Sequence, residues 1–221
     1  MEDEHHVFLD LGEVAHEPME EPLKDTYECE GVACEVKDKL TLLALERNLG
    51  SVPNNLIRVV ATHENAQHCN EPAVLLLYPL RNCMDAYKKH HRAYIEPFPT
   101  TYWLASTELK EKVSILEGMG FVEIFTDRLV ANPQYAKEME DAHQSYADFR
   151  WSLLTPRDIQ VIKAKQWEHA IKDVGIAGIR NRASVKCLHT HYAHYLATKS
   201  NLVGKWVHEA LMDLKATAVI E

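Results

Sequence analysis

The chain is predicted to be an α+β protein: a small early β-sheet covered by a predominantly helical C-terminal half. Three observations predict it. Short β-branched or continuously apolar runs, at 56–60 and 73–78, gather early in the sequence. Asn132-Pro133 and Thr155-Pro156 repeat a helix-opening signature in the second half. From residue 107 onward the apolar positions recur mostly at helical spacing. Strands first and helices after is the order of a sheet covered by helices rather than of alternating β and α units.

The elements follow in order. Residues 36–48 read as a first helix, with Leu40, Leu43, Leu45 and Leu49 as its apolar stripe, Gly50 as its stop and Pro53 just beyond. Residues 56–60 (Leu-Ile-Arg-Val-Val) form a strand, and 63–70 is turn-rich. Residues 73–78 (Ala-Val-Leu-Leu-Leu-Tyr) have the length and flanks of a buried strand ending at Pro79. Residues 81–96 are charged, with the basic knot Lys88-Lys89-His90-His91-Arg92, and read as a surface excursion. A stiff Pro97-Phe98-Pro99 entry leads into the aromatic β segment Tyr102-Trp103-Leu104. Residues 108–118 are helical, with Thr107 as N-cap and Leu109, Val113 and Leu116 on one side. Asn132-Pro133 opens a long helix to about 154, and Thr155-Pro156 opens another that ends at Gly175. Residues 175–179 are a small-residue link, 184–199 a helix and 204–214 the last helix.

Charge divides the chain unevenly. Residues 1–35 hold twelve acids and a single base, Lys24, a net of −11. The remaining residues hold 21 acids and 23 bases, so the body is close to neutral. The division predicts an acidic, flexible arm over 1–35 and a single domain over 36–221. Val7, Phe8, Leu9 and Leu11 give the arm an apolar segment with which to dock on the body or a partner. A neutral body disfavours nucleic acid as the partner, because duplex binding draws on many Lys and Arg contacts to phosphate. No run reaches the roughly 18 to 20 apolar residues that span a bilayer. The acidic start argues against a secretory or transit leader. The expected address is therefore cytoplasmic, and the five Cys should be reduced thiols.

Chemistry concentrates in residues 184–195. With the helix running through Cys187, the 100° step per residue puts Cys187, His191 and His194 on one face and His189 nearly opposite. A thiol and two imidazoles on one face suit a divalent, zinc-class ion, which His68 or Cys69 would complete. Three readings stand: a buried Cys with hydrogen-bonded histidines, a bound metal, and a metal-free site using His or Cys. His143, Tyr146 and Arg150 share a helical stripe. That stripe is either an internal ladder or an anion site in which Arg150 holds a carboxylate or phosphate. Gly175 and Gly178 with Arg180 and Arg182 form either a helix linker or a small phosphate nest. GxxxxGK[ST], GxGxxG and GxSxG are all absent.

Several of these segments, in order, resemble the DUF501 family, which is found mainly in bacteria. They are Leu45-Glu46-Arg47-Asn48-Leu49-Gly50, Cys69 to Pro72, Pro97-Phe98-Pro99-Thr100 with Tyr102-Trp103-Leu104, His143 with Tyr146, and Val185-Lys186-Cys187-Leu188-His189 with Ala193-His194. The resemblance runs from about 38 to 210. Residues 81–96 look like an insertion, and Asn201-Leu202-Val203-Gly204 replaces an Asn-Pro-Gly pattern. The family brings no established activity. The neighbourhood of its genes in some bacteria hints at phosphate chemistry, and its pattern coincides here with Cys69, Cys187, His189 and His194.

Two functions follow as expectations. The first is a metal- or His-assisted hydrolase or transferase acting on a small anionic substrate. Its catalytic candidates are His143, His189 and His194. Arg150, Tyr146 and Arg182 would bind substrate, and Cys69, Cys187, His191 and His194 would hold the metal. The second is a non-catalytic module in which the Cys/His cluster is a staple and a protein partner takes the place of a substrate.

Overall fold

The structure, a computed structural model, describes residues 31–83 and 94–218. Most of the acidic arm, its apolar segment at residues 7–11 and the basic knot at 88–92 lie outside the described residues.

The fold is α+β as expected. Helix α1 (Lys39–Leu49) is capped by Asp38, whose carboxylate accepts the Thr41 amide at 2.7 Å. Strand β1 (Leu56–Glu64) pairs antiparallel with β2 (Asn70–Leu77), which pairs antiparallel with β5 (Tyr102–Leu104), in the order β1-β2-β5. Strand β1 runs four residues past its β-branched stretch. Its polar end Thr62-His63-Glu64 is held by pairing with Pro72, Glu71 and Asn70 rather than by its own hydrophobicity. Segment 81–96, expected as a surface excursion, instead begins and ends in a two-stranded ribbon of β3 (Leu80–Cys83) and β4 (Tyr94–Pro97).

Strand β2 is buried along nearly its whole length because both faces of the sheet are covered. Leu75 and Leu77 pack with Leu45 of α1, Leu56 and Ala105 on one side. Val74 and Leu76 face the helical half on the other. The continuous apolar run at 73–77 is the signature of such a two-sided strand. Of the expected α1 stripe, Leu45 is fully buried, whereas Leu40 and Leu43 are 76% and 50% exposed.

The helical half comprises α2 (Thr107–Gly118), α3 (Phe121–Val130), α4 (Pro133–Ser152), α5 (Pro156–Ala164), α6 (Glu168–Ile171), α7 (Leu188–Thr198) and α8 (Leu202–Ala218). The cap of α2 is Ser106 rather than Thr107. Its hydroxyl accepts the Leu109 amide at 3.3 Å and donates to the buried Glu71 at 2.8 Å. Helix α3 was not anticipated; it buries Phe125 and Leu129. The helix expected from 156 to 175 breaks in two. Trp167 N donates to Ile162 O at 2.9 Å and Gln166 N to Lys163 O at 3.0 Å, with Gln166 at φ 55°. That is a left-handed C-terminal cap built without the usual glycine. A 3₁₀ turn (Ile176–Gly178) stands where the small-residue link was expected.

Candidate functional site

Helix α7 begins at Leu188, not at 184. Cys187 is its N-cap, in extended backbone at φ −144° and ψ 113°. The helical wheel therefore does not carry Cys187. Its sulfur turns to His189, 3.9 Å from Nδ1, and away from the face that holds His191 and His194. The expected union of Cys187 with those two histidines does not form.

His189 is fixed at both ring nitrogens. Nε2 lies 3.1 Å from the Lys110 carbonyl and 3.2 Å from the Ser114 hydroxyl of α2. A carbonyl only accepts, so Nε2 carries a proton toward it, and Nδ1 faces outward from α2. There it meets Cys187 and, at 3.2 Å, the Glu117 carboxylate. Glu117 also accepts the Leu188 amide at 2.7 Å and so caps α7 from the end of α2. Hydrogen bonding to Cys187, opposed by burial and aided by the Glu117 charge, raises the His189 pKa to about 9. Burial pushes the Cys187 thiol up, but hydrogen bonds from His189 and Thr190 outweigh it and leave the thiol below its ordinary value. Among the described residues Glu117, Cys187 and His189 form the one Cys/His/acid group whose donor atoms all lie within 4.8 Å of one another. The sulfur and imidazole border a cavity of about 250 Å³, walled by Thr100, Tyr102, Leu104 and Lys110.

His191 and His194 belong to a second, buried cluster. Asn201 Nδ2 lies 3.0 Å from His194 Nδ1, and both Asn201 side-chain atoms lie 3.3 Å from His191 Nδ1. The Asn201 oxygen also accepts the Gly204 amide at 2.7 Å, the bond of a helix N-cap for α8. His143 accepts the Ile176 amide on Nδ1 at 3.1 Å, and its ring centroid is 6.0 Å from that of His191. His194 stacks on Tyr102 at 5.4 Å and meets the edge of Tyr146 at 5.0 Å. Burial, with lesser repulsion from Arg182 and His194, lowers His143 to about 4. Burial together with neighbouring imidazoles lowers His191 and His194 to about 3. All three are neutral near pH 7. The Nε2 atoms of His143 and His191 are buried with no partner among the described residues.

The remaining candidates serve structure. Arg150 is fully buried and donates to the carbonyls of Ile171 at 2.6 Å, Pro99 at 3.0 Å and Val174. Its fork clamps the end of α6 and the chain just after it to the segment before β5, so its donors are spent on carbonyls. The Tyr146 hydroxyl accepts the amides of Thr101 at 2.7 Å and Tyr102 at 3.2 Å. Arg182 pairs with Glu140 at 2.7 Å and Gln144 at 3.1 Å. Cys69 is exposed in the β1–β2 turn, its thiol donating to Gln67 O at 3.7 Å, and it does not join the group around Cys187. The sequence reading missed Glu117 and Asn201 as site residues. The signal for Glu117 was an acid in the last turn of a helix, where the macrodipole disfavours it.

No helix among the described residues is long and apolar enough to cross a membrane. No curated protein and no solved structure gives a match. A family model described as a protein of unknown function (DUF501) matches residues 63–209, most of the chain. The matched segment takes in β2, β5, Glu117, Cys187, His189 and the buried histidines, and the chain belongs to the DUF501 family.

Proposed function

We propose that Glu117, Cys187 and His189 hold a divalent zinc-class ion with which the protein catalyses hydrolysis or group transfer. The carrying observation is the preset imidazole: Nε2–H is tied to the Lys110 carbonyl while Nδ1 faces a thiol and a carboxylate. Metal-binding histidines are commonly oriented by such a second hydrogen bond. Donors on a tetrahedral zinc-class ion stand roughly 3.2 to 3.8 Å apart, given bonds of about 2.0 to 2.3 Å. The observed separations of 3.2 and 3.9 Å sit close to that range. Glu117, Cys187 and His189 would be the three protein donors of such an ion.

An ion held there would lower the pKa of a coordinated water toward neutrality and so supply a hydroxide nucleophile for hydrolysis or transfer, with the displaced group leaving by taking up the proton that the water had given to solvent. Lys110 lines the cavity, and its ammonium, which donates to Asn48 O at 3.0 Å, would on this reading take the anion-holding role expected of Arg150 and Arg182.

The test is elemental analysis of untagged, chelator-free protein beside Cys187→Ala. About one zinc-class ion per chain, lost in the variant, is expected. No ion in the wild type, or full occupancy in the variant, overturns the reading. A second reading rests on Cys187 at a helix N-terminus 3.9 Å from an imidazole: a metal-free thiol nucleophile with His189 as its base. Metal-free protein with one rapidly alkylated thiol, slowed in His189→Gln, would favour it.

A further inference from the structure

We infer that the substrate reaching this cluster is a small molecule that carries a flat aromatic ring, and that Trp103 takes the ring. The inference rests on the metal-site reading above and names its substrate class.

Trp103 stands in the middle of β5, opposite Leu75 of β2, so its side chain rises on the α1 side of the sheet, where Leu75 and Phe98 pack. Its strand neighbours Tyr102 and Leu104 point to the other side and are buried, whereas Trp103 is 38% exposed. The Tyr102 ring is committed to the interior, stacked with Phe149 at 5.8 Å and with His194 at 5.4 Å. The Trp103 indole stacks on Phe98 at 5.5 Å with the planes 26° apart. The Arg81 guanidinium in turn lies 4.7 Å from the Phe98 centroid. This ladder of guanidinium, phenyl and indole fixes the orientation of Trp103 and still leaves part of it open.

Two cavities meet at this residue. One is the cavity of about 250 Å³ that Cys187 and His189 border, and Trp103 forms part of its wall. The other, of about 280 Å³, is lined by Leu49, Pro53, Phe98, Arg81 and again Trp103. A cavity of about 150 Å³ is enough to take up benzene, so each has room for a single ring. Isolated exposed apolar side chains are ordinary on a protein surface. This one shares a cavity with a thiol and an imidazole, and that position makes it a recognition element. A planar ring laid on the indole gains stacking beyond the area it buries, which an aliphatic group of the same size does not. Held there, the ring directs the group it carries toward Cys187 and His189.

Zinc-loaded full-length protein is titrated with acetohydroxamate and with hydroxamates bearing a phenyl or a cyclohexyl ring on short methylene linkers. The metal-binding group is then constant and only the ring changes. The best phenyl compound is expected to bind about tenfold more tightly than acetohydroxamate and about threefold more tightly than its cyclohexyl counterpart, and to quench tryptophan emission. Trp103→Leu should remove the phenyl advantage while zinc content and acetohydroxamate affinity stay at wild-type values. Trp103→Phe should keep most of the advantage and lose the quenching. Equal affinity of the phenyl compounds and acetohydroxamate, cyclohexyl binding as tight as phenyl, or a phenyl advantage that survives Trp103→Leu overturns the ring inference and leaves the metal site standing. Failure to take up zinc overturns both.

Discussion

Asn201 serves three partners with one amide: its oxygen caps α8 through the Gly204 amide, its nitrogen reaches His194, and His191 lies against both atoms. Truncating it leaves two buried imidazoles and a helix terminus without their partners. Each such loss costs about 1–3 kcal/mol, so Asn201→Ala should destabilise the fold by about 3 kcal/mol or more, read from the urea midpoint. A change below about 0.5 kcal/mol would show that the cluster is held by packing alone. Two glycines press backbone against the same cluster. A Cβ on Gly175 would stand 2.6 Å from His143 Nδ1, and one on Gly204 only 2.2 Å from the His191 carbonyl oxygen. Gly175→Ala should therefore also displace the Ile176 amide that His143 accepts, costing about 1–3 kcal/mol as overpacking in the same assay.

Helix termini decide where the chemistry falls. The residues at 187–194 were legible as a Cys/His segment, but their grouping was not, because it turns on whether Cys187 lies inside helix α7 or caps it. Glu117 settles that boundary by accepting the Leu188 amide from another helix, a contact 71 residues away in sequence. Local patterns predicted the caps at Asn132 and Thr155, where the capping oxygen is close in sequence. They did not find the end of α5, because Gln166 occupies the left-handed position where glycine is expected. The two-sided burial of β2 followed from its continuous apolar run, whereas the exposure of Leu40 and Leu43 did not follow from their spacing on α1. Helix α1 is held to the sheet through Leu45, which is fully buried against Leu56, Leu75 and Leu77. Leu45→Ala should cost about 2–5 kcal/mol and raise amide exchange in α1 while α7 keeps its protection.

At the scale of the whole molecule, the three buried histidines tie stability to acid pH. His143 faces Arg182, His194 and His191; His191 faces His143 and Asn201; His194 faces His191 and the rings of Tyr102 and Tyr146. Each has a folded pKa of about 3 to 4 against an ordinary 6.5. Above pH 6.5 both states are neutral at these rings, and their contribution is fully present. As pH falls below 6.5, the unfolded chain binds protons that the folded one refuses, so stability declines until the folded values are reached. Each ring adds a slope of about 1.4 kcal/mol per pH unit, and three together about 4 at the steepest. His189 has the opposite sign: its raised folded value gives a contribution complete below 6.5 and lost as pH rises through about 9, so it leaves the acid window untouched. Urea midpoints should therefore fall steeply from pH 7 to pH 5, before most carboxylates titrate. His194→Phe, which keeps a ring against Tyr102, should remove about a third of that slope. A midpoint that stays flat over this interval would mean that the buried cluster accepts protons without opening, and the neutral state assigned to its three rings would fall with it.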